Sequence, residues 1–313
     1  MHHFVQSDAW ARLQEARRRT VVRLSGNGWS AQGFIERGRL NSRLYVPYGP
    51  ELDRAEALPE ALDALRAAAR RVGAAFVRVE PTLTSDAGPA LPADTLRDAG
   101  LHRAPRVQPE YTQRIRLDRP LEEVWADMSK SNRNLHRNFG KKGLRVRRSA
   151  DPADIEHLIR LLGEVSARTG MQAHQSEYLR TQARTFLPAG DGSVYLVELD
   201  GAPDPVAAAL VFDDAQRRIY AHAAADTAHR RLSPGTILVT TMIEDAHAAG
   251  QREFDLYGVV PPEVRDHPWS GFSDFKRSFG GQQVPLSGTW EMAVRPISYG
   301  VYRLARRVLG DRV

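Results

Sequence analysis

Lys276 stands inside Gly271-Phe-Ser-Asp-Phe-Lys-Arg-Ser-Phe-Gly-Gly281, a phrase set with aromatic residues and closed by two glycines. Lysine is scarce in this chain. Of 44 basic residues four are Lys, at positions 130, 141, 142 and 276, and the rest are Arg. The two cations do different chemistry: an ammonium is a compact charge with three donors that can release its proton when desolvated, while a guanidinium stays charged and planar. Where arginine is the default, a lysine kept among aromatic residues is a candidate for a task that an arginine would not perform. The other three lysines fall in a second candidate. From Met128 to Ala150 there are eight basic residues and no acidic one. On a helical wheel, Leu121, Val124, Trp125, Met128, Leu135 and Phe139 gather within an arc of about 100°, and Lys130, Arg133, Arg137 and Lys141 within about 80° on the opposite side. The pattern predicts a packed helix with a continuous cationic stripe. A solvated helix face normally mixes signs, so this one reads as a phosphate or RNA-backbone contact. Stacking aromatics are sparse there, and base reading is not indicated.

The elements that must carry these residues are those of a mixed α/β protein. At 313 residues two domains of ordinary size are expected. Short strands are predicted at 21–24, 31–35 and 44–46, a helix over 58–72 with Leu58, Leu62, Leu65 and Ala69 on one face, and a strand at 76–79. Asp118-Arg-Pro-Leu-Glu-Glu opens a further helix, with Asp118 as its expected N-cap, and the domain boundary is placed there. Strands at 144–148, 194–198, 206–212, 218–223 and 254–256 follow, interleaved with helices over 155–168, 177–186 and 236–249. A strand near 289–294 and a helix over 298–309 close the chain. Helix, Gly73, strand 76–79 echoes helix, Gly250, strand 254–256, which suggests two copies of one α/β unit.

Composition narrows the function. Hydrophobic content of 42% with 26% charged residues is globular. No run approaches the ~18 apolar residues of a membrane helix, and the first residues carry no apolar export segment. The absence of cysteine excludes disulfides, thiolate catalysis and Cys-based metal sites. The histidines, His2-His3 included, show no ligand spacing, so no metal is expected. A net charge of +6 favours an anionic partner.

Several phrases line up in order: Phe4-Val-Gln-Ser-x-x-Trp10, Tyr45-Val-Pro-Tyr-Gly-Pro50, Val77-Arg-Val-Glu-Pro81, Gln108-Pro-x-Tyr-Thr112, and Ser129-Lys-x-x-Arg-x-x-x-Arg137 running into Gly143-Leu-x-Val. Arg168-Thr-Gly-Met171, Phe254-Asp-Leu-Tyr-Gly258 and Phe275-Lys276-x-x-Phe-Gly-Gly281 complete the set. In this order and spacing they resemble the Fem (FemABX-type) aminoacyltransferase family over nearly the whole chain. The resemblance implies an α/β (α+β) fold of two GNAT-like domains: residues 1–117 with 290–313 on the precursor-binding side, and residues 118–289 on the aminoacyl-tRNA side. It also implies a C-terminal helix returning to the first domain. The coiled-coil arm of some members is missing, because 177–186 runs almost directly into strand 194–198. The implied activity is transfer of an aminoacyl group from aminoacyl-tRNA, a co-substrate and not a cofactor, to the stem peptide of a peptidoglycan precursor, lipid II or UDP-MurNAc-pentapeptide.

Carried over residue by residue, Phe275-Lys276 matches the family's Phe-Lys pair at the tRNA 3′ end. Gln14 takes the place of a phosphate-binding basic residue, with Arg12 and Arg17 as nearby substitutes. Glu80 is the acidic residue before proline, a candidate contact for the stem-peptide amine or sugar. Gln172-Ala-His174-Gln-Ser-Glu-Tyr178 stands where the family has Thr-x-Arg-x-x-x-Tyr, so His174 replaces an arginine and Tyr178 is retained. His222 occupies another tyrosine's place. The missing arginine weakens a UDP-linked acceptor relative to lipid II. Two alternatives compete: a GNAT-type N-acyltransferase using acyl-CoA, and a non-catalytic RNA-binding protein. Against the first, His229-Arg-Arg-Leu-Ser-Pro-Gly235 has one glycine, and a proline that lacks an amide donor, where a CoA pyrophosphate loop belongs. Against the second, the Phe-Lys phrase would have no task. The expected place of work is the cytoplasm, with the inner membrane face offered as a contact for the final helix. That helix carries Arg303, Arg306 and Arg307 beside Tyr299, Tyr302 and Leu309. Oligomeric state is not readable.

Overall fold

The computed structural model describes residues 3–38, 41–84, 88–170, 174–264 and 266–309. The chain forms two compact units, Met1–Glu110 with Val284–Val313, and Tyr111–Gln283.

The first unit opens with α1 (Asp8–Ala16), started by Ser7, whose hydroxyl accepts the Trp10 amide at 3.3 Å. There follow β1 (Val21–Gly26), β2 (Trp29–Arg37), β3 (Ser42–Val46), β4 (Glu51–Leu52), α2 (Leu58–Arg71), β5 (Phe76–Val79), β6 (Thr82–Leu83), α3 (Ala93–Asp98) and β7 (His102–Arg103). The apolar face expected for α2 is the buried one: Leu58, Leu62, Leu65 and Ala69 enter the core with Leu44, Val46, Val77 and Val79. Each leucine so buried stabilises the unit by about 1.5–3 kcal/mol.

The second unit contains β8 (Tyr111–Arg116), α4 (Leu121–Asp127), α5 (Lys130–Asn138), β9 (Leu144–Ser149), α6 (Ile155–Thr169), α7 (Ser176–Phe186), β10 (Gly192–Leu199), β11 (Ala207–Asp213), β12 (Arg217–Ala225), α8 (Pro234–Ala248), β13 (Glu253–Gly258), α9 (Ser270–Arg277) and β14 (Gln282–Pro285). The chain then returns to the first unit as β15 (Trp290–Ala293) and α10 (Pro296–Leu309). On α10, Tyr302 stacks on Phe76 at 4.7 Å, and its hydroxyl accepts from buried Arg78 at 2.9 Å. Arg78 also pairs with buried Glu291 of β15. The final helix therefore packs on the first unit, as expected.

The two sheets repeat one plan. Their strand orders are β6-β4-β2-β3-β5-β15-β7, with β1 on β2, and β14-β8-β13-β12-β11-β10-β9. Each has a central parallel pair bridged by a helix, β3 with β5 across α2 and β12 with β13 across α8, and the first sheet adds a short parallel pair of β4 with β6. Both helices end at a glycine in the left-handed region, Gly73 and Gly250, at φ +73° and +74°. The weak repeat in the sequence is thus a repeat of topology.

Three expectations are corrected. The last residues of the expected first domain form β8, and it pairs with β13 in the second sheet. The compact division accordingly falls at 110/111 and 283/284 instead of 117/118 and 289/290. Asp118 does not cap α4: its carboxylate is drawn off by Arg116, at 3.0 Å, and Pro120 stands at the N-cap. Third, the basic segment is not one helix. Met128 is extended, and Ser129 caps α5 afresh by accepting the Asn132 amide. Among the described residues no helix is long and apolar enough to cross a membrane.

Candidate functional site

Lys276 lies on α9 and is 2% exposed. Its Nζ donates to the Gly258 carbonyl at 2.8 Å and sits 4.2 Å from the centre of the Phe272 ring. Burial strips the ammonium of water and pulls its pKa down to about 7; the field of buried Asp255 opposes this. A side chain ordinarily charged throughout the physiological range is therefore poised between donor and acceptor. Asp255 is itself fixed by the Thr112 hydroxyl, by the Tyr257 amide at 2.7 Å and by Arg114 at 3.4 Å. Tyr257 holds φ +62°, a left-handed conformation unusual for a tyrosine, and it turns the strand so that the next carbonyl meets Lys276.

The rest of the phrase builds this setting. Ser273, fully buried, donates to the Trp269 carbonyl and accepts the Val260 amide, locking α9 to the chain that follows β13. Phe279 fills the core of the unit and Phe275 packs against it edge-on, ring centres 5.0 Å apart. Gly280 and Gly281 sit at φ +83° and +76°, and a Cβ on Gly281 would run into the Arg114 carbonyl. At the helix end, Ser278 accepts both the Ser129 amide and the Asn132 side chain. The lowered pKa makes a stability prediction. Between pH 7 and 10.5 the unfolded chain binds the Lys276 proton and the folded one releases it, so stability rises with pH across that window. Relative to Lys276→Met, wild type is expected to gain a few kcal/mol between pH 7 and 9.5 in denaturant titrations. A pH-independent difference would contradict the burial argument.

Lys276 meets β13 where the sheet opens. β12 and β13 pair only over Arg217–Ile219 and Glu253–Asp255, yet β12 runs on to Ala225 and β13 to Gly258. A register shift at Leu210/Val211 marks a bulge in β12 beside this parting. At the head of α8, Gly235 faces Phe275, whose Cζ would be 3.8 Å from a Cβ there. The amides of Arg230, Leu232, Ser233, Thr236 and Ile237 all bond to carbonyls of the same turn, and Pro234 has no amide to offer. Few donors remain for a pyrophosphate.

The first-unit candidates fall differently. Glu80 is 2% exposed, and its carboxylate is enclosed: one oxygen accepts Tyr45 Oη at 3.0 Å and the Tyr48 amide at 3.2 Å, the other the Gln108 amide at 3.1 Å and Thr289 Oγ1 at 2.7 Å. Burial raises its pKa against these bonds. Glu80 is thus a structural clamp joining the phrases around 45–50, 77–81 and 108–112, and its lone pairs are not presented to a stem-peptide amine. Gln14 is also buried, its carbonyl oxygen bonded to Arg19 at 3.2 Å, so it is not a surface contact. Arg12 lies on the exposed side of α1.

Within the second unit His174, Tyr178 and His222 do come together. The His174 ring centre is 5.3 Å from Tyr178 and 5.0 Å from His222. Burial, helped by His174, depresses His222 to about pH 3, so its imidazole is neutral. The cluster sits with Phe212 and Phe186 on the α7 side of the sheet, the opposite face from Phe275 and α8. Gln172 lies outside the described residues. Among the described residues no three His, Asp or Glu side chains gather as a metal site.

The cationic stripe survives in reduced form. Lys130, Arg137 and Lys141 are exposed. Arg133 is not one of them: its guanidinium caps α4, donating to the carbonyls of Ala126 at 2.9 Å and Trp125 at 3.3 Å. Sequence reading missed Asp255 as the charge opposite Lys276, and Phe272 as its cover. The latter was findable, since positions 272 and 276 are one helical turn apart.

A sheet whose parallel pair parts at a bulged strand, with a helix entering at the parting, defines the class of this unit. Residues 126–277 match the family model of the acetyltransferase (GNAT) domain. The fold is similar to that of FemX, with a TM-score of 0.82 and 16% identity over 96% of this chain and 94% of that one. The twin GNAT-like architecture expected from the sequence therefore holds, and the Fem-type resemblance holds in the fold. The C-terminal domain of a putative lysylphosphatidylglycerol synthetase from Agrobacterium fabrum is similar at TM-score 0.59, 16% identity, 96% and 92% coverage. A tandem GNAT protein from the clavulanic acid biosynthesis pathway is similar at 0.52 and 16%, covering 88% and 82%. Comparison with curated protein sequences gives no match.

Proposed function

We propose that this protein transfers an aminoacyl group from aminoacyl-tRNA to the stem-peptide amine of a peptidoglycan precursor. The observation that carries the reading is buried Lys276, with a pKa near 7, at the parted strands of a GNAT domain, within a chain that has the fold of FemX. An aminoacyl ester is already activated, so holding the amine against it supplies most of the rate. The amine nitrogen bonds to the ester carbonyl carbon, the carbon–oxygen bond to the ribose breaks, and the amine's proton ends on the ribose oxygen. Lys276 suits the last transfer: neutral, it accepts a proton from the attacking amine; protonated, it donates to the leaving oxygen and stabilises the oxyanion. Phe275, between Lys276 and the head of α8, would flank the ester.

The exposed stripe Lys130, Arg137 and Lys141 would take the tRNA backbone. Replacing all three by Gln is expected to flatten the slope of log affinity for tRNA against log salt by about 2, while Arg133→Gln leaves the slope unchanged and loosens the α4 end. His174 stands where the family resemblance has a phosphate-binding arginine, and His222 beside it is neutral; the acceptor is therefore read as lipid II ahead of UDP-MurNAc-pentapeptide, at the cytoplasmic face of the membrane. The match of residues 126–277 to an acetyltransferase domain favours a second reading, acyl-CoA use; the bonded amides before α8 count against it. Transfer of label from a charged tRNA pool to the acceptor, abolished by ribonuclease, tests the first. Label transfer insensitive to ribonuclease would reject it.

A further inference from the structure

α10 buries one face and leaves the opposite face bare. Tyr299 and Tyr302 are 5% and 3% exposed, while Ile297, Val301, Leu304 and Val308 are 87%, 55%, 64% and 74% exposed. These four aliphatic residues fall within an arc of about 60° on the wheel, so they form one continuous stripe along the helix. Apolar residues scattered singly over a surface need no explanation; a contiguous stripe does.

The charge beside the stripe identifies what covers it. Arg303 and Arg307 are exposed along one flank, and no acidic residue occurs anywhere in Pro296–Leu309. The helix begins beside further cations: Arg295 lies against Gly73, in the turn that follows Arg70 and Arg71 at the end of α2. A second copy would present the same acid-free helix, with none of its carboxylates to meet these arginines. An anionic bilayer meets both features, taking the aliphatic stripe into its acyl boundary and the guanidinium groups among its phosphates. We propose that α10 is a peripheral membrane-docking helix for anionic lipid surfaces. The inference rests on the first unit alone and does not depend on the proposed reaction.

Co-sedimentation of the full chain with vesicles tests it. Vesicles of phosphatidylcholine with about one-third phosphatidylglycerol should pellet the protein, pure phosphatidylcholine vesicles should do so at least about tenfold less well, and 0.5 M salt should weaken binding. The pair Ile297→Ser with Leu304→Ser is expected to lower partitioning about tenfold or more. Arg303→Gln with Arg307→Gln should lower it about tenfold on the anionic vesicles and little on the neutral ones. All four side chains are exposed, so unchanged melting temperatures are expected. Equal binding to both vesicle types, or variants that bind like wild type, would overturn the proposal. So would a concentration-dependent dimer, seen by sedimentation velocity, that the Ile297→Ser and Leu304→Ser pair dissolves.

Discussion

Lys276→Arg is expected to lower the rate of the proposed aminoacyl transfer by about 100-fold or more, although it preserves a positive charge. The site is closed around an ammonium: Nζ bonds to the Gly258 carbonyl, Phe272 covers it, and the residue is 2% exposed. A guanidinium is larger, and it cannot share a proton near pH 7. Because the bulkier side chain strains a packed site by about 1–3 kcal/mol, a second variant separates chemistry from folding. Lys276→Met has similar length and no charge. It should fold with an unchanged circular dichroism spectrum and lose transfer to a similar degree. A Met variant within a few-fold of wild-type activity would remove Lys276 from the chemistry.

Glu80→Ala is expected to cost about 3–5 kcal/mol of stability. Deleting the carboxylate removes the acceptor of four donors, the buried Tyr45 and Thr289 hydroxyls, the buried Tyr48 amide and the half-buried Gln108 amide, and a buried group that loses its partner costs about 1–3 kcal/mol. The sum is capped by what the site can relax. Glu80→Gln keeps one acceptor oxygen and should lose less. The same two variants decide between a clamp and a substrate contact. A clamp predicts lower denaturant midpoints with KM for the acceptor unchanged per folded molecule. A contact predicts a raised KM at unaltered stability.

The sequence was most legible where local pattern and burial agree. The amphipathic period of 58–72 became α2, with the predicted face inward. Helix, glycine and strand at Gly73 and Gly250 marked the two parallel crossovers. The stripe around Lys130 was read correctly in sign but too generously in extent. Wheel geometry has no means of foreseeing that an extended Met128 ends one helix and Ser129 caps the next, or that Arg133 turns back onto α4 carbonyls. Glu80 misled for a related reason: an acidic residue before proline looks the same in a string whether water or four donors surround it. The donors come from positions as far away as Thr289, brought beside β5 by β15. Lys276 was singled out by its rarity and its phrase. Its depressed pKa was not, since that depends on how completely the fold buries the ammonium, with Asp255 of β13 opposing. His174, Tyr178 and His222 do meet, but on the sheet face away from Phe275, a separation that only the strand alternation across the β12 bulge sets.

The central claim is that the acyl donor is a charged tRNA and the acceptor a stem-peptide amine. The most direct measurement is the intact mass of the acceptor after incubation with this protein. Lipid II and UDP-MurNAc-pentapeptide would each be offered in parallel with a charged tRNA pool or with acetyl-CoA. The account predicts a gain of one aminoacyl residue, in the tRNA arm alone, and its loss with Lys276→Met. A gain of one acetyl group in the acetyl-CoA arm, with the tRNA arm unchanged, would contradict it.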